Sequence, residues 1–266
     1  MGALDAAQIL GAGLAAGAIN TLVGSGTLIT FPMLLALGYP PVVANASNTV
    51  GLVPASFAGA YGYRADLATQ RHLLPRLGAA SLAGGVVGAA LLLVLPAIAF
   101  RAIVPVLICL ALVLVVLQPW LARTLRRRTA DRAPATEAGT LLTKPVTRAG
   151  ALLTSGVFAT GVYGGYFGAA QGVLLLGLLG VLLPVGLQQV NGVKNVLAGI
   201  VNGVAAVVFV AAGTVAWQPA LLIAAGSIVG GVLAARYGRR LPDAALRAVI
   251  VVVGLVAVVR MVGALL

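Results

Sequence analysis

Charges are missing from long parts of this chain, and that constrains its fold more than any motif does. Residues 6–63, 77–100, 102–122, 149–193 and 195–235 contain no Asp, Glu, Lys or Arg. A helix that crosses a bilayer needs about 20 mostly apolar residues. Each stretch therefore has room for at least one span, and the longest for two or more. Only 8% of the 266 residues are charged, and the mean hydropathy is +1.10. A soluble domain carries about 25% charged residues. The runs are apolar on all sides rather than alternating, which fits helices and not the strands of an outer-membrane barrel. The expected class is an all-α polytopic membrane protein.

Apolar segments fall at 6–22, 27–38, 46–63, 73–95 and 98–118, then at 149–166, 169–183, 190–212, 217–235 and 244–264. Those at 27–38 and 169–183 are short for full crossings. Between the two sets lies 119–148, with Arg123, Arg126, Arg127, Arg128, Arg132, Lys144 and Arg148 among Pro134, Gly139 and Pro145. It reads as a flexible basic loop. The halves repeat. Leu95-Pro96 followed by Arg101-Ala102 recurs 146 residues later as Leu241-Pro242 followed by Arg247-Ala248. The same separation matches Gly26 with Gly172, Asn45 with Asn191, and Gly84-Gly85 with Gly230-Gly231. Four matches at one offset indicate an internal duplication. It gives a first transmembrane repeat at 1–118, the loop at 119–148 and a second repeat at 149–266.

Arg64, Arg71 and Arg76 follow the third segment of the first half, whereas Arg236, Arg239 and Arg240 follow the fourth of the second. Basic loops mark the cytoplasmic side, so the charged loops have exchanged places between halves. That pattern implies two inverted repeats of about five membrane helices each, with short or broken helices near the centre. Both termini are then periplasmic and the central loop cytoplasmic. If the short segments are re-entrant, ten crossings fall to about eight. The N-terminal segment has no basic n-region, Asp5 being its only charge, and reads as a span rather than a cleaved signal peptide.

Two glycine-rich segments interrupt the apolar runs. The first is Asn20-Thr21-Leu22-Val23-Gly24-Ser25-Gly26-Thr27. The second runs from Gly161 to Gly172 and contains Tyr163, Gly164, Gly165, Gly168 and Gln171. Dense glycine breaks a helix, and a break at membrane depth is tolerated where it lines a cavity or is buried in protein. Two half-helix N-termini facing a substrate is one reading, and close helix packing is the other. For Gly84/Gly88 and Gly226/Gly230 packing is the expectation. For the breaks the accompanying Asn20, Ser25 and Gln171 favour a site. A second polar cluster, Asn45, Ser47 and Asn48, has its counterpart in Asn191, Lys194 and Asn195. Each cluster sits where an apolar segment begins, and ordinary N-capping is the plain alternative. Lys194 stands apart, between uncharged stretches of 45 and 41 residues. A lone cation there is costly and points to anion binding, with snorkelling to the headgroups as the alternative.

Other chemistries lack their parts. The net charge of +12 lies in short loops, as topology control requires, so it does not indicate nucleic acid. Cys109 is single, and His72 is alone, so neither a disulfide framework nor a His-based metal site is expected. No cofactor motif is present, because Gly11-Ala12-Gly13 follows no strand. The five acids, Asp5, Asp66, Asp131, Glu137 and Asp243, fall at segment ends or loops. No catalytic set is available within the membrane, and an enzyme is not expected.

The glycine-rich break followed by a short helix with Pro32, then the Ala44–Thr49 polar cluster, all duplicated once, resembles the TauE/SafE sulfite exporter family. The resemblance covers nearly the whole chain. It departs in the second break, which has Ala169-Ala170-Gln171 where the first has Gly24-Ser25-Gly26. It implies transport of sulfite, sulfonates or related organosulfur anions across a bacterial inner membrane. With no ATP-binding motif, the expected function is secondary transport of a small anion, with a passive anion channel or a carrier of another small solute as alternatives. Lipid and the anionic substrate are the expected partners. The expected substrate-binding residues are Asn20, Gly24, Ser25, Gly26, Asn45, Ser47, Asn48, Tyr163, Gly168, Gln171, Asn191, Lys194 and Asn195.

Overall fold

A computed structural model describes residues 2–130, 148–183, 185–237, 248, 250–256 and 258–259. Among them every regular element is helical. The order is α1 (Ala3–Leu22), α2 (Thr27–Ala36), α3 (Pro41–Gly62), α4 (Arg64–Ala68), a 3-10 turn at Arg71–Leu73, α5 (Leu74–Val94) and α6 (Ala97–Ala130). Then come α7 (Arg148–Tyr166), α8 (Gln171–Leu182), α9 (Leu187–Ala211) and α10 (Trp217–Tyr237), and residues 250–256 are helical. The repeated Leu-Pro…Arg-Ala element of the second half, at 241–248, lies almost wholly outside the described residues.

Among the described residues four helices are long and apolar enough to cross a membrane: Arg71–Val94, Ala97–Leu121, Leu187–Ala211 and Trp217–Ala234. Their outward faces are apolar, with Val86 and Leu91 of α5 and Val106, Val113 and Val116 of α6 exposed. Water would not tolerate such a surface, but lipid suits it. The segments Thr27–Ala36 and Gln171–Leu182 are apolar but short.

Small residues set how the long helices meet. Gly13 and Gly17 of α1 face the backbone of Ile223 and Ser227 in α10, and Gly226 and Gly230 of α10 face Leu10 and Leu14. Gly84 and Gly88 of α5 likewise face Phe158 and Val162 of α7. Residue numbers rise together in both pairs, so α1 runs parallel to α10 and α5 to α7. These are close-packed small-residue interfaces, as expected for Gly84/Gly88 and Gly226/Gly230. In contrast, α3 and α9 run antiparallel: Gly59 meets Asn195, while Ser56 meets Gly199 and Asn202.

Both short helices turn back on the helix before them. Leu178 of α8 touches Gly156, and Gln171 touches Gly164. At the start of α2, Gly26 lies against Ala16 and Asn20 of α1. The two hairpin tips meet: the Gly172 N–H donates to the Gly24 carbonyl at 3.2 Å, and a Cβ on either glycine would lie 2.5 Å from the other's Cα. In a scheme of ten full crossings the tips would lie at opposite faces, about 30 Å apart. Their contact does not fit that scheme.

Two further expectations need correction. Residues 119–130 are not loop but the end of α6, because Arg, Leu and Ala propagate a helix into water well beyond the last apolar turn. The polar clusters at 44–49 and 191–195 do not lie at helix starts, although Gln189 Oε1 accepts from the Gly186 N–H at 3.0 Å and caps α9. Pro41 opens α3 and Leu187 opens α9, which puts Asn45 in the second turn and Lys194 at the eighth residue of its helix.

Candidate functional site

The breaks are built alike. At the end of α1 the N–H groups of Val23 and Gly24 both donate to Ile19 O, and at the end of α7 those of Phe167 and Gly168 both donate to Tyr163 O. Gly24 has φ +83° and Gly168 φ +78°, a conformation that only glycine adopts without strain. The turns correspond at a separation of 144 residues, not 146, because α8 has two more residues than α2. Gly26 and Gly172 are thus not structural equivalents, and the departure seen at Ala169-Ala170-Gln171 is this slip of register.

Six of the expected residues come together around one polar pocket: Asn20, Gly24, Gly168, Gln171, Lys194 and Asn195. Its central space holds about one water molecule. Lys194 is 1% exposed, and its Nζ has no hydrogen-bond partner. Gln171 Nε2 and Asn195 Nδ2 are also buried and unpartnered. Among the described residues no carboxylate reaches this lysine, since Asp5 sits in the first turn of α1 and Asp66 in α4. Three polar groups on residues of this lining, one of them a cation, are thus buried without a hydrogen-bond partner. Buried polar groups in that condition are rare, and an anion would satisfy all three.

The other expected residues do different work. Asn48 donates to Thr27 Oγ1 at 3.1 Å and accepts from Thr30 Oγ1, so its polar capacity is largely used. Asn45 Nδ2 donates to Tyr166 O at 3.0 Å, and Ser47 Oγ accepts from the Ala216 N–H at 2.9 Å; both tie α3 to its neighbours. The Tyr163 hydroxyl donates to Ala169 O at 2.5 Å and braces the second break. Gly26 packs on α1, while Ser25 and Asn191 are buried away from the pocket lining. The amides expected to face an anion at the second break are taken up, Gln171 N–H by Gly168 O and Gly172 N–H by Gly24 O. Because Lys194 lies two turns into α9, the free amides and dipole of that helix's first turn do not serve it either.

The pocket also contains Thr27, Gly172, Ala198 and Asn202. The first two belong to the breaks. Ala198 gives no chemical signal in the sequence. Asn202 lies in the uncharged interior of a long helix, and the signal for it was available: it stands 146 residues after Ser56, and the two side chains meet at 3.1 Å.

A family model described as sulfite exporter TauE/SafE matches residues 9–261. The chain belongs to the TauE/SafE family. No curated protein and no solved structure matches it. This TauE/SafE member is accordingly a multi-pass membrane protein of a family whose work is membrane transport of sulfur anions, as its sequence implied.

Proposed function

We propose that this chain is a secondary transporter that moves sulfite or a related small organosulfur anion across the bacterial inner membrane, and that Lys194 is its anchor. The observation that carries this reading is the buried trio of Lys194 Nζ, Gln171 Nε2 and Asn195 Nδ2, all donors and all without an acceptor. A cation inside a span without a counter-ion is expected to pair with something that comes and goes. The tight pocket favours a carrier, which opens to each side in turn, over an open channel.

An inverted repeat is part of the proposal, with units at 1–118 and 149–266, both termini periplasmic and the segment 119–148 cytoplasmic. Three features support it. Equivalent helices α3 and α9 lie side by side and antiparallel, and a two-fold axis relating antiparallel helices is perpendicular to them, hence in the membrane plane. Ser56 and its equivalent Asn202 touch, as equivalents do only at such an axis. The pair α1–α10 is repeated by α7–α5. The exposed Arg236 at the end of α10 and the arginines after Trp120 in α6 would then lie on the cytoplasmic side.

The test is a thermal-shift screen of the purified protein against sulfite, sulfate, thiosulfate, taurine and sulfoacetate. A ligand that binds only the folded state stabilises it, by about 2.7 kcal/mol at a concentration 100-fold above Kd. Sulfite or an organosulfur anion is expected to raise the transition temperature. No shift with any of the five would sink the reading.

A further inference from the structure

The pocket contains acceptors as well as donors, and one hydroxyl sorts them. Ser56, in the middle of α3, is 3% exposed. Its Oγ lies 3.2 Å from Asn20 Nδ2 and 3.1 Å from Asn202 Nδ2, and it donates to the Leu52 carbonyl at 3.3 Å. A serine hydroxyl has one proton and two acceptor lone pairs. With that proton on Leu52 O, both amides must donate to Ser56. Were the proton given to one amide oxygen instead, the other amide would still have to donate. In the arrangement the structure holds, with the Ser56 proton on Leu52 O, the NH2 groups of Asn20 and Asn202 both donate to Ser56, which leaves their carbonyl oxygens free of it in the lining that both residues share. The same lining carries the unpartnered donors of Gln171, Lys194 and Asn195.

Charge narrows the ligand further. Lys194 is the one titratable side chain among the pocket's lining residues. On the elements packed against α9, Tyr61 of α3, Arg64 and Asp66 of α4, Arg76 of α5, and Tyr163 and Tyr166 of α7 stay outside it, as do Arg101, Cys109 and Arg123 of α6, and α8 carries none. A monoanion leaves the lysine–ligand pair neutral at membrane depth, whereas a dianion leaves a net charge there. A ligand whose far end carries no hydrogen would also donate to neither carbonyl oxygen.

We propose that the site selects the proton-bearing monoanion of a sulfur oxyacid: hydrogen sulfite, not the sulfite dianion and not an aprotic sulfonate. Its oxygens accept from Lys194, Gln171 and Asn195, and its one hydrogen donates to the carbonyl oxygen of Asn20 or of Asn202. Ser56 is a positioning residue that keeps those amides from turning over. The proton travels on the substrate, so no carboxylate relay inside a span is needed. This inference rests on the anion site at Lys194.

Isothermal titration of the purified protein with sodium sulfite, over a pH series spanning the sulfite–hydrogen sulfite transition, and with sodium methanesulfonate, a monoanion without a donor, tests it. Apparent sulfite affinity should fall about tenfold per pH unit above the transition, following the hydrogen sulfite fraction. Methanesulfonate should bind roughly tenfold or more weakly than hydrogen sulfite, the equivalent of one lost hydrogen bond. Ser56→Ala should bring the two ligands within about threefold of each other, since a freed amide can turn its NH2 to either. Asn202→Leu, which removes one acceptor directly, should reduce the preference in the same direction and covers the case in which Ser56→Ala does not fold. Sulfite binding that does not follow pH, or methanesulfonate binding as well as sulfite, overturns the inference and leaves the anion site standing. If neither ligand binds the unaltered protein, or if both bind Lys194→Ala normally, the anion site itself is wrong and the inference falls with it.

Discussion

Lys194 and Asn48 would be equivalents in the proposed repeat, 146 residues apart, and their surroundings differ. Asn48 finds Thr27 and Thr30. Lys194 finds nothing. Lys194→Ala is expected to leave the fold intact, since it removes a buried charge without breaking any bond, and to weaken anion binding by roughly 10- to 100-fold, the range of a charged hydrogen bond. Lys194→Arg should keep part of that affinity. Titration of sulfite against both variants, with their melting temperatures alongside, checks this. Gly172 presents the other kind of residue effect. Its Cα lies where a Cβ on Gly24 would collide. Gly172→Ala should therefore force the hairpin tips apart and destabilise the protein by about 1–3 kcal/mol, read as a lower melting temperature in detergent.

Among the helices, the steric limit falls along α1–α10 and α5–α7. A Cβ on Gly230 would sit 1.9 Å from Leu14 O, and one on Gly88 would sit 2.1 Å from Val162 O. Both contacts are to backbone, which has no rotamer to yield. Gly230→Val is expected to destabilise by ~3 kcal/mol or more and to reduce the monodisperse fraction on size exclusion. Gly203, with open space around its position, should accept Ala with little change. The glycine spacing made these interfaces readable from sequence, and so did the apolar runs that gave α5, α6, α9 and α10. Helix starts were less readable. Pro41 and Leu187 lie outside the strongest apolar windows, so the polar clusters looked like helix starts, whereas Asn45 and Lys194 lie a turn or more inside. Whether the two short apolar segments turn back or cross was not readable either. Ten apolar residues fit either course, and only the meeting of Gly24 with Gly172 bears on the choice. Lys194 and Gln171 announced themselves by type and place. Asn202 and Ser56 did not, because a single amide or hydroxyl in an apolar helix stands out by neither type nor place, and only their separation of 146 residues marked them.

For the molecule as a whole, the proposed axis between α3 and α9 makes a topological prediction. Ala135→Cys, in a chain whose Cys109 is replaced by Ser, should react with a membrane-impermeant maleimide only when the cytoplasmic side is opened. A cysteine added at either end of the chain should react from outside. Labelling of position 135 in intact cells would refute the inverted arrangement. The same axis places the pocket between the halves, where the hairpin tips close it down to about one water, so an anion enters only when the tips part. Radiolabelled sulfite counterflow into proteoliposomes loaded with unlabelled sulfite, comparing the unaltered protein with Lys194→Ala at matched folding, tests the central claim most directly. Saturable accumulation by the former and none above empty vesicles by the latter is the predicted result. Equal counterflow by both would contradict the assignment of Lys194 as the anion's anchor.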